Sequence, residues 1–405
     1  MARTPVFDVI VVGGGIAGSV LGGVLARADL GVLVVEKETR FRDRVRGETT
    51  WPYGVADVKA MGLTDLLRRA GAVDIVGVSH YENQQPTTRY HWATDSIDGL
   101  SEIGFCHPRL QEEAFTWAGE QGATTLRPAK AVRFTGNGAP TVTVVQNDRE
   151  TAYTARLVVG ADGKTSAVRR WTGGESVTDP EHHRFGGVLV SGVQTDDRDT
   201  DNIAGTPRLK VNWFAAGAEH TRLYLQATAA RLREWGADRS FTDLVTVTAP
   251  YMPEGALDAV QQEGPIGFFP NSDTWASRVA GNGVVLVGDA AGAPDPSLGH
   301  GTALLFHDVR TLSELLLAER NWEAATAAYA ERQSQYYAVV REYDRWHCFL
   351  DAEEGAEADR LREGHERAKQ DDSALGGWAL IEACGPDGLV ADDAARRRYF
   401  GEGLP

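Results

Sequence analysis

Residues 6–36, VFDVIVVGGGIAGSVLGGVLARADLGVLVVE, decide the fold. Phe7–Val12 is a short apolar strand-like run, Gly13–Gly15 is a turn, Ile16–Ala28 reads as a helix, and Gly31–Glu36 is a second β-rich run. Together they form a βαβ unit. Within it, Gly13-Gly14-Gly15-Ile16-Ala17-Gly18 is a GxGxxG that follows a strand and opens a helix, with Glu36 and Lys37 at the end of the next strand. Gly13 permits the tight turn, and Gly15 lets a diphosphate approach the amides of Ile16 and Ala17 at the positive end of the helix. Gly18 lets helix and strand pack closely, and Glu36 accepts hydrogen bonds from ribose hydroxyls.

Two further motifs follow in order. Leu157–Gly160 is an apolar run ending in Asp162-Gly163-Lys164-Thr165-Ser166-Ala167-Val168-Arg169, where Ser166 is placed to cap the next turn. Val284–Val287 then leads into Gly288-Asp289-Ala290-Ala291, followed by Pro296 and by Gly299-His300-Gly301-Thr302 at the start of a long helical stretch. An acid at a strand end suits a sugar-like hydroxyl, and the amides near Gly301 and Thr302 point a helix N-terminus at an anionic ring edge.

The second motif resembles the DGxxSxxR signature, and the third the GD motif, of the para-hydroxybenzoate-hydroxylase-like (class A) flavoprotein monooxygenases. The resemblance spans residues 7 to about 318, with Gly292 where many members carry histidine and Thr302 where many carry asparagine. It implies an α/β fold with an α+β insertion: a Rossmann-like FAD-binding domain, an inserted antiparallel-sheet substrate domain and a helical C-terminal region. It also implies bound FAD, NADH or NADPH as a transient co-substrate, and O2, with oxygen transfer through a flavin C4a-hydroperoxide. On that basis Arg44, Arg46, Arg109 or Gln111, Val132, Asp162, Asp289, Pro296, Gly299, Gly301 and Thr302 join the glycine loop as expected FAD contacts, and His300 is a catalytic candidate for proton transfer near neutral pH.

Three alternatives stand beside oxygen insertion. Gly47–Pro52, GETTWP, resembles the GE(S/A)TxP loop of flavin-dependent halogenases, but no lysine follows between Lys59 and Lys130, and Trp378-Ala379-Leu380-Ile381 lacks the second tryptophan of their other motif. A saturating reductase or dehydrogenase, suggested by Gly292, and a flavin-binding template without redox turnover complete the set.

The remaining sequence sets limits. At 405 residues with a formal net charge of −16, the chain is large enough for two domains and repels polyanions and anionic lipid. Cys106, Cys348 and Cys384 form no CxxC, so neither a disulfide framework nor a metal site is expected, and a reducing cytoplasm fits best. No segment has the roughly 20 uncharged apolar residues of a membrane helix. The expected partners are a small organic molecule and O2, without nucleic acid or stable membrane association, as a monomer or homodimer.

The expected FAD-binding domain comprises residues 1–75, 106–180 and 281–318, the substrate sheet 76–105 and 181–280, and the helical region 319–405. Strands are expected at 129–134 and 141–146 around a Gly136-Asn137-Gly138 turn, and Leu312, Leu315, Leu316 and Leu317 are expected to pack. Tyr81, Tyr90, Trp92, Trp213, Phe214, Tyr224 and Phe268 are the aromatic residues available to a substrate wall, although half of any strand's side chains point away from a cavity.

Overall fold

The computed structural model describes residues 6–136, 139–206, 209–353, 355–371 and 379–402, so Asn137, Gly138 and Trp378 lie outside the described residues. One sheet runs in the order Thr124–Leu126, Val32–Val35, Val6–Val12, Arg149–Gly160, Val284–Leu286 and Ala280–Gly281. Its first four pairings are parallel. Helices Ile16–Arg27, His107–Glu120 and Gly301–Ala318 contribute to the same core, so the central strands are buried on both faces and read as continuous apolar runs. The start of Arg149–Gly160 also pairs with Thr141–Gln146, which pairs with Lys130–Thr135, in an antiparallel meander.

A second sheet has the order Gln261–Gln262, Arg184–Ser191, Thr221–Ala227, Leu209–Ala215, Thr200–Thr206, Gly77–Glu82 and Gln85–His91, with Gly267–Pro270 also on Arg184–Ser191. It is not wholly antiparallel as expected: Thr200–Thr206 runs parallel to Gly77–Glu82. The 77–91 hairpin enters from a separate stretch of chain, so no tight turn forces the antiparallel direction.

The two faces of this sheet do different things. Tyr81, Val188, Val190, Val211, Trp213, Leu223 and Leu225 pack with Leu232 and Leu244 of the helices Ala229–Trp235 and Phe241–Thr248. The alternate residues Lys210, Asn212, Phe214, Arg222, Tyr224 and Gln226 occupy the opposite face, where Lys210 reaches Ser297 and Arg222 reaches Asp43 and Glu48. That face is turned to the nucleotide domain.

Two three-stranded sheets complete the connection. Thr49–Thr50, Glu102–Gly104 and Val73–Ile75 form one, and Ser176–Thr178, Thr274–Ala276 and Gly292–Ala293 the other. Beyond Gly301–Ala318 the helix Trp322–Ala352 places Ala325 and Tyr329 in the nucleotide core and packs Tyr336, Tyr337 and Val340 with Leu304. Of the four leucines expected to pack, Leu312 and Leu316 are buried while Leu317 is 47% exposed. At about 100° per residue, consecutive residues cannot share one face.

Candidate functional site

The glycine loop is shaped by contacts that exclude side chains at two positions and leave room at a third. Gly13 has φ +107°, and a β-carbon there would lie 2.3 Å from the Ala161 carbonyl oxygen and 2.9 Å from Asp162 Cα. At Gly18 a β-carbon would lie 1.9 Å from the Gly13 carbonyl oxygen. At Gly15 it would meet nothing nearer than Gln111 Nε2, at 3.6 Å. The Glu36 carboxylate is buried and accepts hydrogen bonds from the amides of Gly14, at 2.8 Å, and Glu38, at 2.7 Å. One amide per oxygen leaves each with a lone pair for a ribose hydroxyl. Lys37, beside it, is exposed.

The second motif meets the third through Arg169. Its buried guanidinium donates to the carbonyls of Ala290 (3.1 Å), Asp289 (3.3 Å) and Lys164 (3.2 Å) and to the Ser176 hydroxyl (2.9 Å). Asp162 accepts from the Ser166 hydroxyl and from the amides of Ala167 and Val168, so its carboxylate builds this turn. Ser166 in turn accepts from the Arg169 amide at 2.9 Å and stands one residue before Ala167, which occupies the N-cap position of the turn Val168–Thr172. Burial pushes the Asp289 carboxyl up, and the charges of Arg46, Lys164, His107 and Arg169 oppose that rise.

The third motif continues through the short turn Pro296–Leu298, capped by Asp295, and through Gly299 at φ +72°. Trp51 Nε1 donates to the Leu298 carbonyl at 2.8 Å. The helix Gly301–Ala318 then starts with no side chain capping it, and a β-carbon on Gly301 would meet nothing nearer than Pro294 Cγ at 4.0 Å. Unclaimed amides at an open helix N-terminus suit an anion. Gly292, the departure from the common pattern, has a steric cause: a β-carbon there would lie 2.6 Å from the Tyr337 ring.

The 40–54 loop reaches this helix start. A β-carbon on Gly47 would lie 3.1 Å from His107 Nδ1 and 3.2 Å from Thr302 Oγ1, and His107 Nδ1 is 2.7 Å from the Gly47 carbonyl oxygen. Burial pulls His107 below its ordinary pKa, against the hydrogen bond to Gly47. Arg46 stacks over the Phe269 ring at 5.1 Å, whereas Arg44 points outward to Glu38, with its side chain 55% exposed. The acids of the loop are the inward groups: Arg222 donates to Asp43 at 3.0 Å and to Glu48 at 2.7 Å, and Tyr224 donates to Glu48. Arg222 Nε and NH1 have no hydrogen-bond partner among the described residues.

Arg109 and Gln111 sit about 200° apart around the helix His107–Glu120. Gln111 lies over Gly15, while the Arg109 guanidinium lies against Gly71. Val132 is 43% exposed, three residues beyond Ala129, whose amide donates to the Glu36 carbonyl.

Of the aromatic residues considered for a substrate wall, Tyr81, Trp213 and Phe268 belong to the cluster on the far face of the sheet. Trp92 and Tyr90 pack with Trp51, Tyr53 and Val78, and Phe214 and Tyr224 pack with Val45 and Phe185. The first of these clusters also holds Ile203 and Ala303, so Tyr90 and Trp92, like Phe214 and Tyr224, lie on the side turned to the glycine motifs. His300 is 1% exposed, with Nδ1 3.2 Å from Tyr53 Oη and Nε2 3.4 Å from Asp344 Oδ1. Burial pulls its pKa down to about 3, which favours the neutral imidazole, and its two nitrogens face Tyr53 on one side and the acids Asp344 and Glu382 on the other.

His107 and Arg222 join this arrangement without having been singled out from sequence, and Gly47 was read only as part of GETTWP. Arg169 stood in a quoted motif, and Pro108 beside His107 marks a helix start, but Arg222 has no local signal.

These residues fit a flavin dinucleotide. Open glycines face the loop and the helix start, an acid with free lone pairs ends the second strand, and two buried guanidinium nitrogens of Arg222 lack hydrogen-bond partners among the described residues. The profile of the FAD binding domain family matches residues 6–342. The chain belongs to that family. It is 26% identical over 318 residues to the squalene monooxygenase of Mus musculus, a match covering 76% of this chain and 54% of that one, so the chain spans about half the length of that relative. In structure it is similar to the p-nitrophenol 4-monooxygenase PnpA of Pseudomonas putida, with a TM-score of 0.77, 18% identity and coverage of 94% and 96% of the two chains. It is also similar to the myxobacterial chondrochloren halogenase CndH, with a TM-score of 0.74, 18% identity and coverage of 98% and 97%. No helix among the described residues is long and apolar enough to cross a membrane.

Proposed function

We propose that this chain is an FAD-dependent monooxygenase that uses NADH or NADPH and O2 to hydroxylate or epoxidise a small to medium organic metabolite. The observation that carries the reading is that three distant motifs are brought against one another: Gly13 against Ala161 and Asp162, Arg169 against Asp289, and Gly47 against His107 and Thr302. The squalene monooxygenase relative and the structural likeness to PnpA support it.

When bound, FAD supplies the redox chemistry, taking a hydride from nicotinamide and using O2 for oxygen transfer. The protein's own residues orient and shield it. Glu36 would hold the adenosine ribose, the amides of Gly15–Ala17 and Arg46 the diphosphate, and Gln111 and Asp289 the ribityl chain. The amides of Gly301 and Thr302 would face the pyrimidine edge, where negative charge grows on reduction. Substrate would lie between that edge and the sheet face carrying Lys210, Asn212, Phe214, Tyr224 and Gln226.

One observation favours halogenation as a second reading. Lys210 Nζ lies 3.3 Å from the Ser297 carbonyl, which places a lysine at the Pro296 turn from a strand far from the GETTWP loop. Oxygen uptake and NAD(P)H oxidation, followed with a panel of aromatic and polyketide-like metabolites with and without bromide, separate the readings. Substrate-stimulated consumption without halide supports the monooxygenase; consumption with a brominated product supports the halogenase; neither sinks both.

A further inference from the structure

We propose that His182, Asp295 and Cys348 form a binding site for a divalent transition-metal ion of the zinc type. The imidazole nitrogen, carboxylate oxygen and sulfur of these residues all lie within 4.8 Å of one another. They come from three separate parts of the chain: the segment before strand Arg184–Ser191, the residue before the Pro296–Leu298 turn, and the helix Trp322–Ala352. No spacing motif announces them, which is why the cysteine pattern gave no expectation of a metal.

The donor types select the ion. One nitrogen, one oxygen and one sulfur suit zinc, and cobalt as its spectroscopic substitute, while magnesium and calcium take oxygen donors. Three protein ligands leave a fourth position for water. Asp295 and Cys348 are buried, and His182, whose side chain is 33% exposed, provides the entry side.

The supporting shell is present. Asp295 Oδ1 accepts from the Ser297 amide at 2.8 Å and from its hydroxyl, which fixes the carboxylate and directs Oδ2 at His182 Nε2, 2.9 Å away. His182 Nδ1 is 3.2 Å from His183 Nδ1, so His183 can hold the tautomer that leaves Nε2 bare.

Further acids surround the three ligands. Asp344, on the same helix as Cys348 and 1% exposed, makes no hydrogen bond through either carboxylate oxygen among the described residues and has His300 Nε2 at 3.4 Å as an ion-pair contact. Asp273 Oδ1 takes only long bonds, from the Asp295 amide at 3.4 Å and the Tyr337 hydroxyl at 3.3 Å. Metal binding would replace the thiol proton and any proton on His182 Nε2, releasing both to solvent, and the dication would balance the thiolate and the Asp295 carboxylate. Its structural effect would be to clamp the Pro296 turn to the helix Trp322–Ala352.

The test is cobalt titration of the flavin-loaded full chain, read in the d–d bands beyond the flavin absorption and in the thiolate-to-cobalt charge-transfer band. We expect one cobalt per chain, bleaching of the bands by zinc, and a rise in Tm with zinc. His182→Ala and Cys348→Ser, checked for retained flavin, lose the thiolate band and at least tenfold in affinity; Cys106→Ser and Cys384→Ser keep both. Absence of a thiolate band in the unaltered protein at stoichiometric cobalt overturns the proposal without need of any variant, as does persistence of the band in Cys348→Ser.

Discussion

Arg222 of the strand Thr221–Ala227 donates to Glu48 of the 40–54 loop at 2.7 Å, with side-chain exposures of 1% and 0%. The loop that approaches His107 and Thr302 is thereby held by a charge pair 174 residues apart in sequence, and Asp43 and Tyr224 complete the network. Replacing Arg222 by methionine leaves two carboxylates without their cation. Because stranding a buried charge costs about 3–5 kcal/mol, we expect a loss of that order in denaturant unfolding, with weaker flavin retention. Equal stability of the two proteins would show that the network carries no weight.

The glycines of the first motif differ in what they tolerate. A β-carbon at Gly18 collides with the Gly13 carbonyl at 1.9 Å, while one at Gly15 meets only the end of Gln111 at 3.6 Å. Gly18→Ala is therefore expected to yield little folded protein. Gly15→Ala is expected to fold with near-native circular dichroism yet retain FAD at least tenfold more weakly, because the added methyl occupies space the diphosphate needs. Similar behaviour of the two variants would remove the distinction.

Arg169 makes four hydrogen bonds with its fork of donors, and a lysine cannot span them. Arg169→Lys is expected to separate the Asp162 turn from the Asp289 strand end and to lower both Tm and the fraction of protein purified with bound flavin. Retention of full flavin occupancy would contradict the role assigned to this side chain.

Stability should fall from pH 7 to 9 through His307. Burial pulls its pKa down, but hydrogen bonds to Asp387 and Asp57 outweigh that and hold it at about 9. A folded-state pKa above the unfolded value stabilises fully below the unfolded pKa of about 6.5, and that stabilisation is lost as pH rises through 9. The loss amounts to roughly 2–3 kcal/mol. Unfolding of the unaltered protein and of His307→Gln between pH 6 and 10 checks this: the variant should show the shallower dependence.

The glycine motifs were legible because each glycine answers a local demand, a turn or a close approach within a few residues. The central strands were legible because burial on both faces makes them continuous apolar runs. The inserted sheet was legible as strands, but not the role of each face, since both are covered: in Leu209–Ala215, Lys210 and Trp213 are both buried, and alternation alone does not say which face is turned to the glycine motifs. Arg222 with Glu48, and His182 with Asp295 and Cys348, depend on tertiary contacts between distant segments, and no spacing rule encodes those.

The most direct test of the central claim is turnover under 18O2 with NADH or NADPH and a substrate that stimulates oxidation. The account predicts a yellow protein and a product carrying one labelled oxygen atom. A flavin-loaded protein that oxidises nicotinamide in the presence of substrate and yields product without label would contradict it.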